Sequence, residues 1–229
     1  MVLLSLDTSS ANGSAAVVRD GRIIVERAGD AARTHAERLP RELMDVLDAA
    51  RCSLDEVDGF AVITGPGSFT GLRVGLATVQ GLAFARRRLV YPVTAFEAYA
   101  EHAGREYPTA IWIDAHRGEV FATLVDGAGR TLEPPSSRPP ADTLDAWDAT
   151  LAGLPRVQFT GDGAVRYRDV IRGRVGSRGA LEEIVPLLAG IAGEIAEASP
   201  GRGIAPHALV PQYVRRPDAE LARDRRTFD

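Results

Sequence analysis

Apolar residues along the first hundred positions switch between two spacings, and the switches mark out the elements. Residues 2–7 (VLLSLD) form a short apolar run, while 14–19 and 22–28 alternate apolar and polar positions about Asp20-Gly21. Alternation puts successive side chains on opposite faces, and Asp-Gly is a strong hairpin turn, so the chain opens with a buried strand and a hairpin. Leu39, Leu43, Val46 and Leu47 then recur at helical spacing. They predict a helix over 35–50 capped by Thr34, with Pro40 tolerated in its first turn. The run 59–64 (GFAVIT) is apolar and β-branched, as a central parallel strand entering a helix should be. VYPV predicts a further strand and 95–104 a short helix.

The second half opens in the same way. Residues 109–114 (TAIWID) read as a strand, and 118–125 (GEVFATLV) pairs with a third segment across Asp126-Gly127. Strand, hairpin and helices occurring twice predict two related α/β subdomains, 1–105 and 106–229, with a boundary near Gly104 to Pro108 and the last helix free to pack back on the first. Residues 133–140 (EPPSSRPP) read as a Pro-rich surface loop, 156–160 (RVQFT) as a strand before Gly161-Asp162-Gly163, and 181–198 as a helix.

Between the halves of the first subdomain, residues 64–85 (TGPGSFTGLRVGLATVQGLAFA) form a glycine-rich turn and a helix with apolar residues nearly all round. At about 100° per residue, Leu72, Leu76 and Val79 share one face, Val74 and Phe84 the opposite one, with Leu82 between them. Three readings compete: a subunit interface, a helix buried inside its own domain, and a phosphate cradle at the helix N-terminus. Gly71 and Gly75, one turn apart, would let another backbone approach closely. The phosphate reading is the weakest. All 27 basic residues are Arg, so the P-loop pattern cannot be completed, and a dinucleotide fingerprint starting at Gly65 fails at Thr70. Ser68 or Thr70 caps the helix more naturally.

With 229 residues, 45% hydrophobic and 25% charged, the composition is that of a globular protein with a real core. No stretch approaches a membrane span and MVLLSLDTSS lacks the basic region of a secretory signal, so the expected location is cytoplasmic, without membrane attachment. The single cysteine, Cys52, excludes an internal disulfide and a multi-Cys metal site. A formal charge of −4 argues against a chain that grips nucleic acid unaided. Arg86, Arg87 and Arg88 complement the end of the preceding helix, with RNA contact as the alternative.

Asp7 ends the first strand and is followed by Thr8, Ser9 and Ser10. It could orient a hydrated metal ion beside a phosphate, or simply cap its own turn. Asp114 stands similarly at the end of 109–114, and Asp162 lies in the later glycine turn. Three carboxylates so placed in two similar halves resemble the α/β scaffold of the actin-like ATPase and sugar-kinase superfamily. At motif level the resemblance narrows. LLSLDTSS, TGPGSFTGLRVGLATVQGLA, IDAHRGEVF, GDG at 161–163 and PQYVR at 211–215 resemble the TsaB family, also called YeaZ, over essentially the whole chain.

The resemblance implies a non-catalytic scaffold in the bacterial machinery that forms N6-threonylcarbamoyladenosine at position 37 of tRNAs reading ANN codons. In that family the helix after GPGSFTG packs against its counterpart in the catalytic homologue, TsaD, or forms homodimers. A TsaE-type ATPase joins the pair and a TsaC-type synthase supplies the activated group. The implied contacts here are Gly65, Pro66, Gly67, Ser68, Phe69, Thr70, Gly71, Leu72, Arg73, Gly75, Leu76, Val79 and Leu82. Asp7, Thr8, Ser9 and Asp162 would be a vestigial nucleotide site. No cofactor is required by the chain, with ATP and magnesium held weakly or by partners.

The residues agree independently with a role outside catalysis. TsaD-like enzymes hold a metal with H-x-x-x-H on a helix, whereas His35, His102, His116 and His207 include no such pair. No G-x-S-x-G elbow supports a serine nucleophile. The alternatives are an active ATP-dependent phosphotransferase or ATPase of the same fold, using Asp7 and Asp162, and a peptidase acting on its partner. DTSSANG delays its glycine to Gly13, which crowds a phosphate.

Overall fold

A computed structural model of the chain describes residues 1–215. The chain divides into two units, Met1–Gly104 with Ile184–Pro211, and Arg105–Glu183 with the segment that begins at Gln212.

In the first unit, β1 (Val2–Asp7), β2 (Ser14–Arg19) and β3 (Arg22–Ala28) form an antiparallel meander. It is followed by α1 (His35–Ala49), β4 (Gly59–Ile63), α2 (Phe69–Arg86), β5 (Leu89–Val93) and α3 (Ala95–Ala103). The sheet order is β3-β2-β1-β4-β5, with β1 antiparallel to β2 and parallel to β4. The two-residue period sorts β1 between the sheet's faces. Leu4 and Leu6 join the cluster that holds Leu39, Val46, Leu72 and Val79, whereas Leu3 packs with Val18, Ala61 and Tyr91. Capping boxes start two of the helices, Thr34 with Glu37 on α1 and Thr94 with Glu97 on α3, each satisfying end N–H groups reciprocally. Pro40 lies deeper than expected. It is in the second turn of α1, where it removes one helical hydrogen bond.

The second unit repeats the arrangement with β6 (Thr109–Asp114), β7 (Val120–Val125), β8 (Thr131–Arg138), α4 (Pro140–Ala146), α5 (Asp148–Ala152), β9 (Val157–Thr160), α6 (Asp162–Arg166), α7 (Arg168–Val175) and β10 (Gly179–Leu181). Its order, β10-β9-β6-β7-β8, read from the other end is that of the first sheet strand for strand. β6 is antiparallel to β7 and parallel to β9. The core is built on Trp112, whose ring meets Trp147 at 6.2 Å and 70° and Phe159 at 5.9 Å and 80°. Such edge-to-face pairs set positive ring edges against negative faces. This is the doubled α/β topology of actin-like ATPases and sugar kinases.

Several sequence expectations are corrected. EPPSSRPP is not a loop, since Thr131–Arg138 is the strand β8. It lies at the sheet edge and its pairing with β7 shifts register near Leu124, so Pro134 and Pro135 can sit where no ladder donor is needed. The helix expected over 181–198 is shorter. Gly179–Leu181 pairs with β9 as a strand, and α8 covers Ala189–Ala198, starting after Pro186. The expected division near 105 left the last helix free to pack back on the first subdomain. Ile184–Pro211 belongs to the first unit, because the small residues of α8 let it lie close on the first sheet. A Cβ at Gly193 would overlap Ser5 and Val18. Cys52 is buried and free. No helix among the described residues is long and apolar enough to cross a membrane.

The start of α8 is held by groups distant in sequence. Ala189 N–H donates to Ser14 Oγ at 3.0 Å and Gly190 N–H to Glu26 Oε1 at 2.8 Å. Burial pushes the Glu26 carboxyl above its usual range, helped by the charges of Asp7 and Glu194 and opposed by its bonds to Gly190 and Ser14. The folded state thus binds this proton more tightly than the unfolded chain, and stability falls as pH rises from the unfolded value through the folded one. Glu26→Gln keeps an acceptor for Gly190 and cannot ionise. Its stability relative to the parent chain should rise across that window, measured by urea unfolding at a series of pH values; parallel pH profiles would refute the assignment.

Candidate functional site

β4 delivers the chain into the turn 64–68 and α2. The Gly65-Pro66 bond is cis, and Gly65 O accepts Ala95 N–H at 2.7 Å, tying the turn to α3. Ser68 caps α2, its Oγ accepting Gly71 N–H at 3.2 Å, while Ser68 N–H donates to Ser9 O at 2.6 Å. The glycines serve this same approach. A Cβ at Gly67 would overlap Ser9 O, one at Gly71 would overlap Thr8 O, and one at Gly75 would overlap Thr8 Oγ1. The backbone that these glycines admit is the chain's own β1–β2 turn.

Most of the expected partner contacts lie inside the fold. Gly65, Pro66, Gly71, Leu72, Gly75, Leu76 and Val79 are all buried within their own unit, where Leu72, Leu76 and Val79 join the core beneath α2. Gly67, Ser68 and Leu82 are half-buried, and Phe69, Thr70 and Arg73 are exposed. The core covers more of the helix than its all-round apolar pattern implied, because Val74 and Leu82 also pack against it and Gln80 Nε2 donates to Pro206 O and Leu209 O at 3.1 and 3.0 Å.

What α2 leaves outside is one face, Thr70, Arg73, Ala77, Gly81 and Phe84, at spacings of three and four residues. Phe84 is 81% exposed. The Arg73 guanidinium lies 3.9 Å from the Phe69 ring centroid, a cation–π stack that pre-sets both side chains. Gly81 is the informative member. A Cβ there meets nothing within 4 Å, and a glycine inside a helix costs about 1 kcal/mol relative to alanine. Nothing within the described residues offsets that cost. A groove of about 340 Å³ borders the face at Ala32, His35, Thr70, Gly71 and Val74, and a second of about 510 Å³ at Phe84, Arg87, Leu89, Ala205 and Pro206. Sequence reasoning missed Ala77 and Gly81, although both lie opposite Leu72 and Val79 on the same helical wheel. At the far end Arg87 takes the left-handed C-cap conformation, φ 52°, and Arg86 pairs with Asp55, so these arginines close the helix.

His35 is structural. Its Nε2 lies 2.9 Å from Ser10 O and its Nδ1 2.9 Å from Arg38 Nη2. Burial chiefly, with the Arg38 charge, pushes its pKa below the ordinary value, against its bond to Ser10 and the charge of Glu42. The buried Arg38 grips Glu42 at 2.6 Å and also donates to Ala11 O and Asn12 O at 2.9 and 2.5 Å, fastening the turn 10–13 to α1.

The strand-end carboxylates are engaged by backbone. Asp7 Oδ1 accepts Ser9 N–H at 2.7 Å, the turn-capping geometry. Thr8 is fully buried and Ser9 nearly so. Asp162 Oδ1 accepts Asp114 N–H at 3.0 Å and Gly163 N–H at 2.9 Å. Burial pushes its carboxyl up, as does the charge of Asp114, against those N–H bonds. Asp114 itself pairs with Arg166 at 2.8 Å. Among the described residues no group of three or more His, Cys, Asp or Glu is placed to hold a metal ion.

Comparison with known proteins places this arrangement. The YeaZ structure from Pseudomonas aeruginosa is 32% identical, covers 93% of this chain and 99% of that one, and superposes with a TM-score of 0.74. The chain belongs to the TsaB (YeaZ) family. The tRNA threonylcarbamoyladenosine biosynthesis protein TsaB of Haemophilus influenzae is 36% identical over 132 residues, 55% of this chain and 54% of that one. The chain spans about half the length of several curated relatives it matches. Residues 27–151 of this TsaB-family chain also match the family model described as TsaD, tRNA N6-adenosine threonylcarbamoyltransferase. The activator of 2-hydroxyisocaproyl-CoA dehydratase from Clostridium difficile, with bound ADPNP, shares the fold alone, at 9% identity, a TM-score of 0.55 and coverage of 88% of this chain and 96% of that one.

Two substitutions check these assignments. Gly75→Trp drives a ring into Thr8 and should destabilise the first unit by about 3 kcal/mol, seen as a lowered urea midpoint; an unchanged midpoint would show that α2 does not depend on this approach. Asp162→Asn keeps an acceptor for both N–H groups and removes a buried charge. Its melting temperature at neutral pH should equal or exceed the parent's, and a large drop would mean that the ionised carboxylate is needed.

Proposed function

We propose that this chain is a non-catalytic scaffold that binds a TsaD-type catalytic subunit in the complex forming N6-threonylcarbamoyladenosine at position 37 of ANN-reading tRNAs. The observation that carries the reading is the outer face of α2, a bare Ala77–Gly81 centre between Phe69 and Phe84 on a helix immobilised from behind. Small residues at the centre admit a second helix closely, and the aromatic residues supply anchors of the kind that dominate interface energetics.

Similarity to both TsaB and TsaD supports a partner of related fold presenting a like helix. The same face serves a homodimer when the chain is alone. A TsaE-type ATPase joins the pair, a TsaC-type synthase supplies the activated threonylcarbamoyl group, and tRNA is the acceptor. The missing H-x-x-x-H pair and the backbone-engaged Asp7 and Asp162 support a scaffold without its own cofactor, with Asp7, Thr8, Ser9 and Asp162 as remnants of a nucleotide site. The cytoplasm is where such a complex meets tRNA.

Gly81→Trp tests the reading without touching the core. The variant should keep its circular-dichroism spectrum and melting temperature but lose co-elution with the cognate TsaD-type protein, weakening association at least about tenfold, a change of roughly 1.4 kcal/mol. Reconstituted tRNA modification should fall with it, as it should when this chain alone is omitted. Undiminished co-elution overturns the proposed face, and modification that proceeds without the chain overturns the role.

A further inference from the structure

Residues 166–178 carry five arginines, Arg166, Arg168, Arg172, Arg174 and Arg178, against the single acid Asp169, in a chain whose formal charge is −4. All five are exposed. Three have internal work. Arg166 pairs with Asp114 at 2.8 Å, Arg174 with Asp145 and Asp148 at 2.8 and 3.2 Å, and Arg178 donates to Leu151 O at 2.8 Å. Among the described residues, no ion pair or hydrogen bond engages the side chain of Arg168 or Arg172.

Their placement runs against local electrostatics. They stand four residues apart on α7, where like charges repel across one helical turn. Arg168 is also the first residue of the helix, at the positive end of its dipole, where an acid is favoured. A chain with more acids than bases keeps two uncompensated cations side by side. Uncompensated violations of local preference are expected where function demands them.

We infer that Arg168 and Arg172 form a contact for an RNA phosphate backbone, carried on the second unit and separate from the α2 face. Neighbouring guanidinium forks suit phosphate oxygens, which they bind in bidentate fashion. On the helical wheel the apolar residues nearest the pair, Ile171 and Val175, are buried, and Asp169 lies on the pair's other side, so no exposed apolar anchor of a protein-docking site stands beside them. A Cβ at the neighbouring Gly173 meets nothing within 4 Å, leaving the approach open. Such contacts position RNA without reading its sequence. The inference rests on the scaffold reading, because tRNA is the polyanion that complex handles.

The test uses the full chain assembled with its TsaD-type partner. In the R168E/R172E variant the acid at the start of α7 suits the dipole, so the melting temperature should not fall, and co-elution with the partner should match the parent's. tRNA affinity of the assembly should weaken by about tenfold or more at low salt. The slope of log affinity against log salt should drop by about 1.4 to 1.8 for two lost phosphate contacts. A charge-retaining R168K/R172K variant should recover most of the binding. Unchanged tRNA affinity and slope in an intact R168E/R172E assembly overturn this inference and leave the scaffold reading standing. Failure of the parent chain to assemble overturns the scaffold reading and this inference with it.

Discussion

The first unit depends on how closely α2 lies against the turn between β1 and β2. Gly67 in the turn and Gly71 and Gly75 on the helix bring this segment onto Thr8 and Ser9, and any side chain at those positions would occupy the same space. That single approach accounts for several features at once. It lets the Ser68–Ser9 hydrogen bond form and turns Leu72, Leu76 and Val79 inward. It also decides which residues of α2 are left for anything outside.

Much of the fold was legible because its elements are separated by strong local signals. The Asp20-Gly21 hairpin, the Thr34 and Thr94 caps and the β-branched run of β4 are each readable from a few neighbouring residues. What was not legible required contacts between distant segments. β8 contains Pro134 and Pro135, and only its edge position makes a strand of it. Likewise the short helices between β8 and β10 carry at most eight residues each, too few for a helical period to stand out. The return of α8 to the first sheet was left open by the sequence and is set by what faces Gly193.

The candidate site was legible as a segment, but which of its faces is exposed was not. Glycine spacing on α2 correctly marked a close backbone approach, but an approach inside the chain and one between chains need the same missing Cβ atoms. Only packing separates the two, and it puts Gly71 and Gly75 inside and Gly81 outside. The carboxylates posed a similar ambiguity. Asp7 ends β1 and Asp162 opens α6, positions suited to metal chemistry, yet both accept hydrogen bonds from nearby backbone N–H groups.

The buried grip of Arg38 on the 10–13 turn has a bearing on association itself. It fastens the turn to α1, and the same turn adjoins the residues on which α2 rests, so the outer helical face is already ordered before any partner arrives. A preordered surface loses little conformational entropy on docking. If the proposed scaffold reading holds, choice between a second copy and a TsaD-type partner would then be a competition of side-chain complementarity and concentration, with no folding step to favour either.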